Sequence, residues 1–243
     1  VKVEIFMAIF NISCASVTVV ALLFVPTVAF AGKLSGEGAL AASQTTGNTS
    51  TVALGAGLKL RNEAGRWVET AEVRADYASA DGVTTTNRLF GALQIGRDFN
   101  KTFYGFGRIS INRDRFTGYK NQLFFGAGLG AHVLTGPKAT WDLEVSPGYQ
   151  INNFLVGGNA KSFALQGSSR FGYKFNDAVS LQNDTNIGYA STSTLIGNIT
   201  SVTAKLSEKL AARMSYEVAH QTSPLPGAKA TDTATKVSLV YGF

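Results

Sequence analysis

The stretch Lys161-Ser162-Phe163-Ala164-Leu165-Gln166-Gly167-Ser168-Ser169-Arg170-Phe171-Gly172-Tyr173-Lys174-Phe175 decides how this chain folds. Phe163, Leu165, Phe171, Tyr173 and Phe175 share one side of an extended strand, and Ser162, Gln166, Ser168, Arg170 and Lys174 share the other, because successive strand side chains point to opposite faces. Two faces with two different solvents are implied. The same split recurs from Thr140 to Ile151, where Trp141, Leu143, Val145, Tyr149 and Ile151 oppose Thr140, Asp142, Glu144, Ser146 and Gln150. Val52, Leu54, Ala56, Leu58 and Leu60 repeat it against Thr51 and Lys59. Residues 207–214 have helical propensity, but Leu210, Ala212, Met214, Tyr216 and Val218 keep the two-residue period, so the segment reads as strand.

Extending the pattern predicts twelve strands, near 34–44, 49–60, 66–78, 84–97, 101–113, 119–134, 139–151, 161–175, 178–190, 194–206, 209–221 and 233–243. An even number returns the chain to its starting side. Tight connections are expected at 98–101, 135–138, 176–177 and 207–209, with mostly longer ones at 113–120, 153–160, 191–194 and 221–232. Short turns on one rim and longer loops on the other are the layout of an outer-membrane barrel.

Composition supports that reading. Charged residues make up 16% of the 243, below the roughly 25% usual for soluble domains. The formal net charge is +6, yet the basic residues are scattered singly, so nucleic acid is not an expected partner. The one cysteine, Cys14, excludes an internal disulfide and a Cys-based zinc site.

From Phe6 to Ala31 the chain is almost wholly apolar, with Lys2 before it and Ala29-Phe30-Ala31 closing it. This small-x-small exit predicts a signal peptide over 1–31, cleaved after Ala31, rather than a retained membrane anchor. The domain of interest is then 32–243.

A soluble barrel also alternates, with its apolar side turned inward. Two features favour the reverse orientation. The polar face is rich in Gly, Ser, Thr, Asn and Gln with single charges of both signs, which suits a confined wet interior. Aromatics gather near strand ends: Trp67, Phe103, Trp141, Tyr173, Phe175, Tyr241 and Phe243 toward one rim, Tyr77, Tyr149, Phe163 and Tyr189 toward the other. Such belts sit at the two headgroup levels of a bilayer. Hydrocarbon tolerates only helices or closed barrels, and no apolar run of ~18 residues follows residue 31. The expected fold is therefore an all-β transmembrane antiparallel up-and-down β-barrel of about twelve strands. Its last strand ends Val237, Leu239, Tyr241 and Phe243 on one face, which resembles the C-terminal signature read by the barrel-assembly machinery.

With Gly36-Glu37-Gly38, Thr46-Gly47-Asn48-Thr49, Gly126-Ala127-Gly128-Leu129-Gly130 and Glu144-Val145-Ser146-Pro147-Gly148-Tyr149, the chain resembles the salt-induced outer-membrane protein family, small Gram-negative barrels of unknown function. The resemblance implies an address in the cell outer membrane, with outer-membrane lipid and lipopolysaccharide as surroundings, and it supplies no catalytic residues.

Gly126, Gly128 and Gly130 lie on one face and lead into no helix, so they form no phosphate loop. If strands meet across 115–118, Tyr104 and Phe106 lie opposite Gly130 and Gly128 and pack over bare backbone. His132 and His220 fall near opposite ends and on opposite faces, and neither has a hydroxyl and a buried acid around it. No catalytic, cofactor-binding or metal-binding residue is expected. Arg74, Arg88 and Arg108, from three successive strands at similar expected height, form a candidate anion cluster in the lumen, flanked by Glu72 and Asp76. Asp142, Glu144, Asp184 and Glu217 balance Lys59, Arg170, Lys174, Lys205 and Arg213 elsewhere. The first functional expectation is a structural or stress-related envelope component that is not an enzyme. The second is a narrow, mildly anion-selective diffusion channel for a small anionic solute, and the third a soluble periplasmic barrel for an apolar ligand.

Overall fold

The computed structural model describes residues 32–45, 50–114, 119–191, 193–224 and 229–243. The expected signal peptide, and the expected turns at 46–49 and 115–118, lie outside the described residues. Twelve strands follow one another: β1 (Lys33–Thr45), β2 (Thr51–Ala64), β3 (Trp67–Ala80), β4 (Val83–Asp98), β5 (Phe103–Asp114), β6 (Tyr119–Thr135), β7 (Ala139–Phe154), β8 (Asn159–Lys174), β9 (Val179–Ala190), β10 (Ser193–Lys205), β11 (Leu210–Gln221) and β12 (Thr231–Gly242). Each pairs antiparallel with its sequence neighbour, and β12 pairs with β1 to close the barrel. Closure leaves no strand edge unpaired, which is the condition hydrocarbon imposes on a sheet.

The orientation is the one the alternation predicts. Leu40, Leu93, Leu129, Phe163 and Val237 stand outward and are exposed, Phe163 at 65%. The rings of Trp67, Phe103, Phe175, Tyr241 and Phe243 at one rim and of Tyr77, Tyr149, Phe163 and Tyr189 at the other are likewise exposed on the outer face. Ion pairs and side-chain amide hydrogen bonds fill the inner face. A large apolar outer surface belongs against lipid, not water. The barrel is transmembrane.

Connection lengths differ from expectation. By the strand bounds the connections at both rims are short, and the longest is 222–230, part of which lies outside the described residues. The chain reverses between β3 and β4 on Asp81-Gly82, with φ of 48° and 78°, the pair of positive angles that a two-residue hairpin turn requires. Gly65, at φ 64°, serves the β2–β3 turn. The physical reason is that polar residues resembling loop extend the ladders. Asn62 donates to Glu69 at 3.2 Å, carrying β2 out to Ala64. Asn153 donates to Asn121, and Gln122 to Asn152, carrying β7 out to Phe154.

Closure is uneven. The β7–β8 ladder runs from Ala139↔Tyr173 to Asn153↔Asn159, whereas β1 meets β12 only from Glu37↔Gly242 to Ala41↔Ser238. Reciprocal backbone hydrogen bonds between Gly36 and Phe243, at 2.9 and 3.0 Å, finish that seam.

Candidate functional site

One wall of the lumen is packed and the other is wet. Tyr104 faces Gly130 and Phe106 faces Gly128, as the sequence pairing predicts. Each ring fills the space a β-carbon on its glycine would need, and the ring of Phe124 does the same for Gly126 and Gly148. All three rings are buried inside the barrel, so the glycine stripe of β6 is a seat for aromatics and not a ligand loop.

Glu144 sits at the centre of this wall. Its Oε1 accepts hydrogen bonds from Gln94 at 2.8 Å and Tyr104 at 2.9 Å, and its Oε2 accepts one from Ser168 at 2.9 Å. Four strands thus converge on one buried carboxylate, and both of its oxygens accept hydrogen bonds, as a buried charge requires. Toward the rim that carries the β4–β5 and β6–β7 turns, His132 stacks on Tyr104 with ring centroids 4.7 Å apart, and its Nδ1 lies 2.7 Å from Asp142. Its Nε2 is 3.6 Å from Asp98. His220 is on the outer face at the other rim, where Nδ1 is 2.8 Å from the Thr231 hydroxyl. Among the described residues neither histidine joins a hydroxyl on one nitrogen to a carboxylate on the other.

The opposite wall carries long charged side chains that reach across the bore. Arg213 makes a two-pronged contact with Glu37, at 3.0 and 2.8 Å. Lys236 bridges Asp76 at 2.7 Å and Glu217 at 2.9 Å. On the packed side, beside Ser168 on β8, Arg170 is 3.5 Å from Asp184 of the neighbouring strand. The side chains of Arg74 and Arg170 keep 40% and 39% of their surface accessible to water. Water therefore reaches these two guanidinium groups.

The three predicted arginines all point inward, but they do not make one cluster. Arg88 is held by Asp114 at 2.8 Å and by Asp232 at 3.3 Å. Arg74 lies 3.0 Å from Glu72 and places its guanidinium 4.6 Å from the centre of the Phe90 ring. Arg108, half-buried, forms no ion pair and no hydrogen bond among the described residues, and its Nε is buried without an acceptor. Arg74 and Arg170 are the cations within its electrostatic reach, together with Glu72 and Glu144. Sequence reasoning assigned Arg170 to the lumen but not to this group. The signal was its pairing on β8 with Asp142 and, one strand on, Asp184.

Among the described residues no group of three His, Cys, Asp or Glu side chains is arranged to hold a metal ion. No helix among them is long and apolar enough to cross a membrane, which does not bear on crossing by strands.

A curated relative, Uncharacterized protein YdiY of Escherichia coli (strain K12), is 23% identical over 148 residues, 60% of this chain. The chain spans 58% of that relative's length. Among solved structures, the KdgM porin superposes with a TM-score of 0.46 at 13% identity, covering 86% of this chain and 99% of its own. The translocator domain of the autotransporter NalP from Neisseria meningitidis gives 0.46 at 10% identity, covering 86% and 87%. Residues 38–243 match the family described as Protein of unknown function, DUF481, and the chain belongs to that family.

Proposed function

We propose that this chain is an outer-membrane barrel offering small anions a narrow, hydrated passage, without catalytic chemistry. One observation carries the reading. Among the described residues the lumenal carboxylates have partners: Glu37 has Arg213, Glu72 has Arg74, Asp76 and Glu217 share Lys236, Asp114 and Asp232 share Arg88, Asp184 has Arg170, and Glu144 has three hydrogen-bond donors. Arg108 has no ion pair or hydrogen bond among the described residues. The guanidinium of Arg108 is thus left to meet a passing anion, a local positive site that supports a mild anion preference.

The outer-membrane address is supported by the apolar outer surface between aromatic belts. Lipopolysaccharide and the barrel-assembly machinery are the partners this address implies. The resemblance to salt-induced outer-membrane proteins adds a stress-related setting to the same reading.

Reversal potential across a planar bilayer, measured under a salt gradient, tests it. The refolded barrel is expected to pass unit currents with a potential of the anion-selective sign, and Arg108→Gln to move that potential toward zero. Arg88→Gln is expected to move it further the same way only if freeing Asp114 and Asp232 adds negative charge to the bore. Absence of unit currents in several electrolytes would instead support a purely structural envelope role.

A further inference from the structure

The outer face of β9 and β10 breaks the apolar pattern at mid-height. Asn183 and Thr185 on β9 pair with Thr200 and Asn198 on β10, and all four side chains share the outward register of Leu181, Ile187, Ile196 and Val202. Leu181↔Val202 lies on one side of this block and Ile187↔Ile196 on the other, so it stands inside the apolar band and not at its edge. The inward positions of β10 meanwhile include Leu195 and Ile199, which pair with Gly188 and Asp184 on the lumen side.

Lipid tails offer these groups no hydrogen bonds, and the four side chains satisfy most of one another's needs. Asn183 Nδ2 donates to Asn198 Oδ1 at 3.3 Å and to Thr200 Oγ1 at 2.8 Å. Asn198 Nδ2 donates to Thr185 Oγ1 at 2.7 Å, Thr185 Oγ1 to Asn183 Oδ1 at 3.3 Å, and Thr200 Oγ1 to Asn198 Oδ1 at 3.1 Å. An amide has two N–H donors and an oxygen with two lone pairs. By that inventory one N–H of Asn198 and one lone pair of the Asn183 carbonyl are left over. The amide leftovers are one donor and one acceptor, on adjacent strands, while the hydroxyls of Thr185 and Thr200 each donate once and accept once.

We propose that this block is the contact by which two copies of the chain associate within the membrane. A twofold axis through the patch would let Asn198 of each copy donate to Asn183 of the partner subunit, so one interaction made twice uses both leftovers. Self-complementarity of this kind is what a twofold contact requires. Polar and small side chains are also what brings membrane segments together, since lipid offers no apolar advantage to association. The block is flanked by Ser169 and Phe171 on β8 and by Tyr216 and Val218 on β11, which frame it as one discrete polar sector of the outer face. The wall formed by β4 and β5 presents Leu89, Leu93, Ile95, Ile109 and Ile111 outward and has no comparable group. The contact is confined to one sector, which gives a closed pair and not an open array.

Single-cysteine cross-linking of the full chain tests this, exported in a Gram-negative host with Cys14→Ser to leave one thiol. Asn198→Cys is expected to give a disulfide-linked species of twice the chain mass on mild oxidation of isolated membranes, and Leu93→Cys on the opposite wall to give none. Heat-modifiable gel mobility identifies folded barrels in both. Thr185→Cys, which leaves both amides in place, provides a second reading if Asn198→Cys folds poorly. Equal cross-linking at positions 198 and 93, monomer alone from folded Thr185→Cys, or a cross-linked species of unequal mass containing another protein would each overturn the proposal.

Discussion

Tyr104 rests in the gap left by Gly130, and its hydroxyl continues past the glycine to hydrogen-bond Glu144 at 2.9 Å. One ring thereby packs against one neighbouring strand and tethers the next.

Gly130→Val should displace that ring, because a side chain at position 130 occupies the same space. Overpacking of this kind costs about 1–3 kcal/mol. Urea unfolding of vesicle-inserted protein, followed by Trp67 and Trp141 fluorescence, should show a lower midpoint. Gly107→Ala, whose new β-carbon would meet nothing within 4 Å, should leave the midpoint within about 0.5 kcal/mol of the parent value.

Glu144→Ala strands the donors of Gln94, Tyr104 and Ser168. A buried donor left without a partner costs about 1–3 kcal/mol, and Tyr104 is the most deeply buried of the three. The variant should unfold at lower urea concentration. It should also strengthen anion preference, since it removes a fixed negative charge near Arg108. An unchanged reversal potential would separate the packing role of Glu144 from any part in selectivity.

Ion pairs across the bore tie β11 and β12 to β1, β3 and β4 through Arg213–Glu37, Lys236–Asp76 and Arg88–Asp232. They span the narrow β1–β12 seam from the inside. Their side chains are partly hydrated, so salt should weaken them. Lys236→Met should make the barrel less stable at low ionic strength and reduce the dependence of its unfolding midpoint on salt. A midpoint with the same salt slope as the parent would mean these contacts do not brace closure.

Deletion of Phe243 removes the two reciprocal backbone hydrogen bonds with Gly36 and the ring that fills the outward space beside Gly36 and Leu60. Refolding yield, measured as the fraction of heat-modifiable barrel, should fall. Phe243→Tyr retains the backbone bonds and most of the ring, and should refold close to the parent yield.

Much of this molecule is legible in its residues. Period-two alternation is reliable where one face must be greasy, and β7, β8 and β12 show it in nearly every residue. The Tyr104–Gly130 and Phe106–Gly128 seats were also predictable, because a hairpin around 115–118 leaves one register. Arg88 was harder. In the unbroken β4–β5 ladder Arg88 pairs with Asp114 whereas Arg108 pairs with Gln94, well along β4, so the two arginines stand at different depths. The outward Asn183 block was hidden for a different reason: with Leu195 and Ile199 inside and Asn198 and Thr200 outside, β10 has mixed faces, and only its pairing with β9 and β11 orients it. Convergence on Glu144 joins strands far apart in sequence, and no local pattern announces it.

The aromatic seats along β5 and β6 stiffen that sector of the wall. Any change in the width of the bore must then come from swings of arginine and lysine arms on the facing wall, movements that side chains make within nanoseconds. Such an aperture would follow the ions around it almost instantly and would need no lid, hinge or backbone rearrangement to do so.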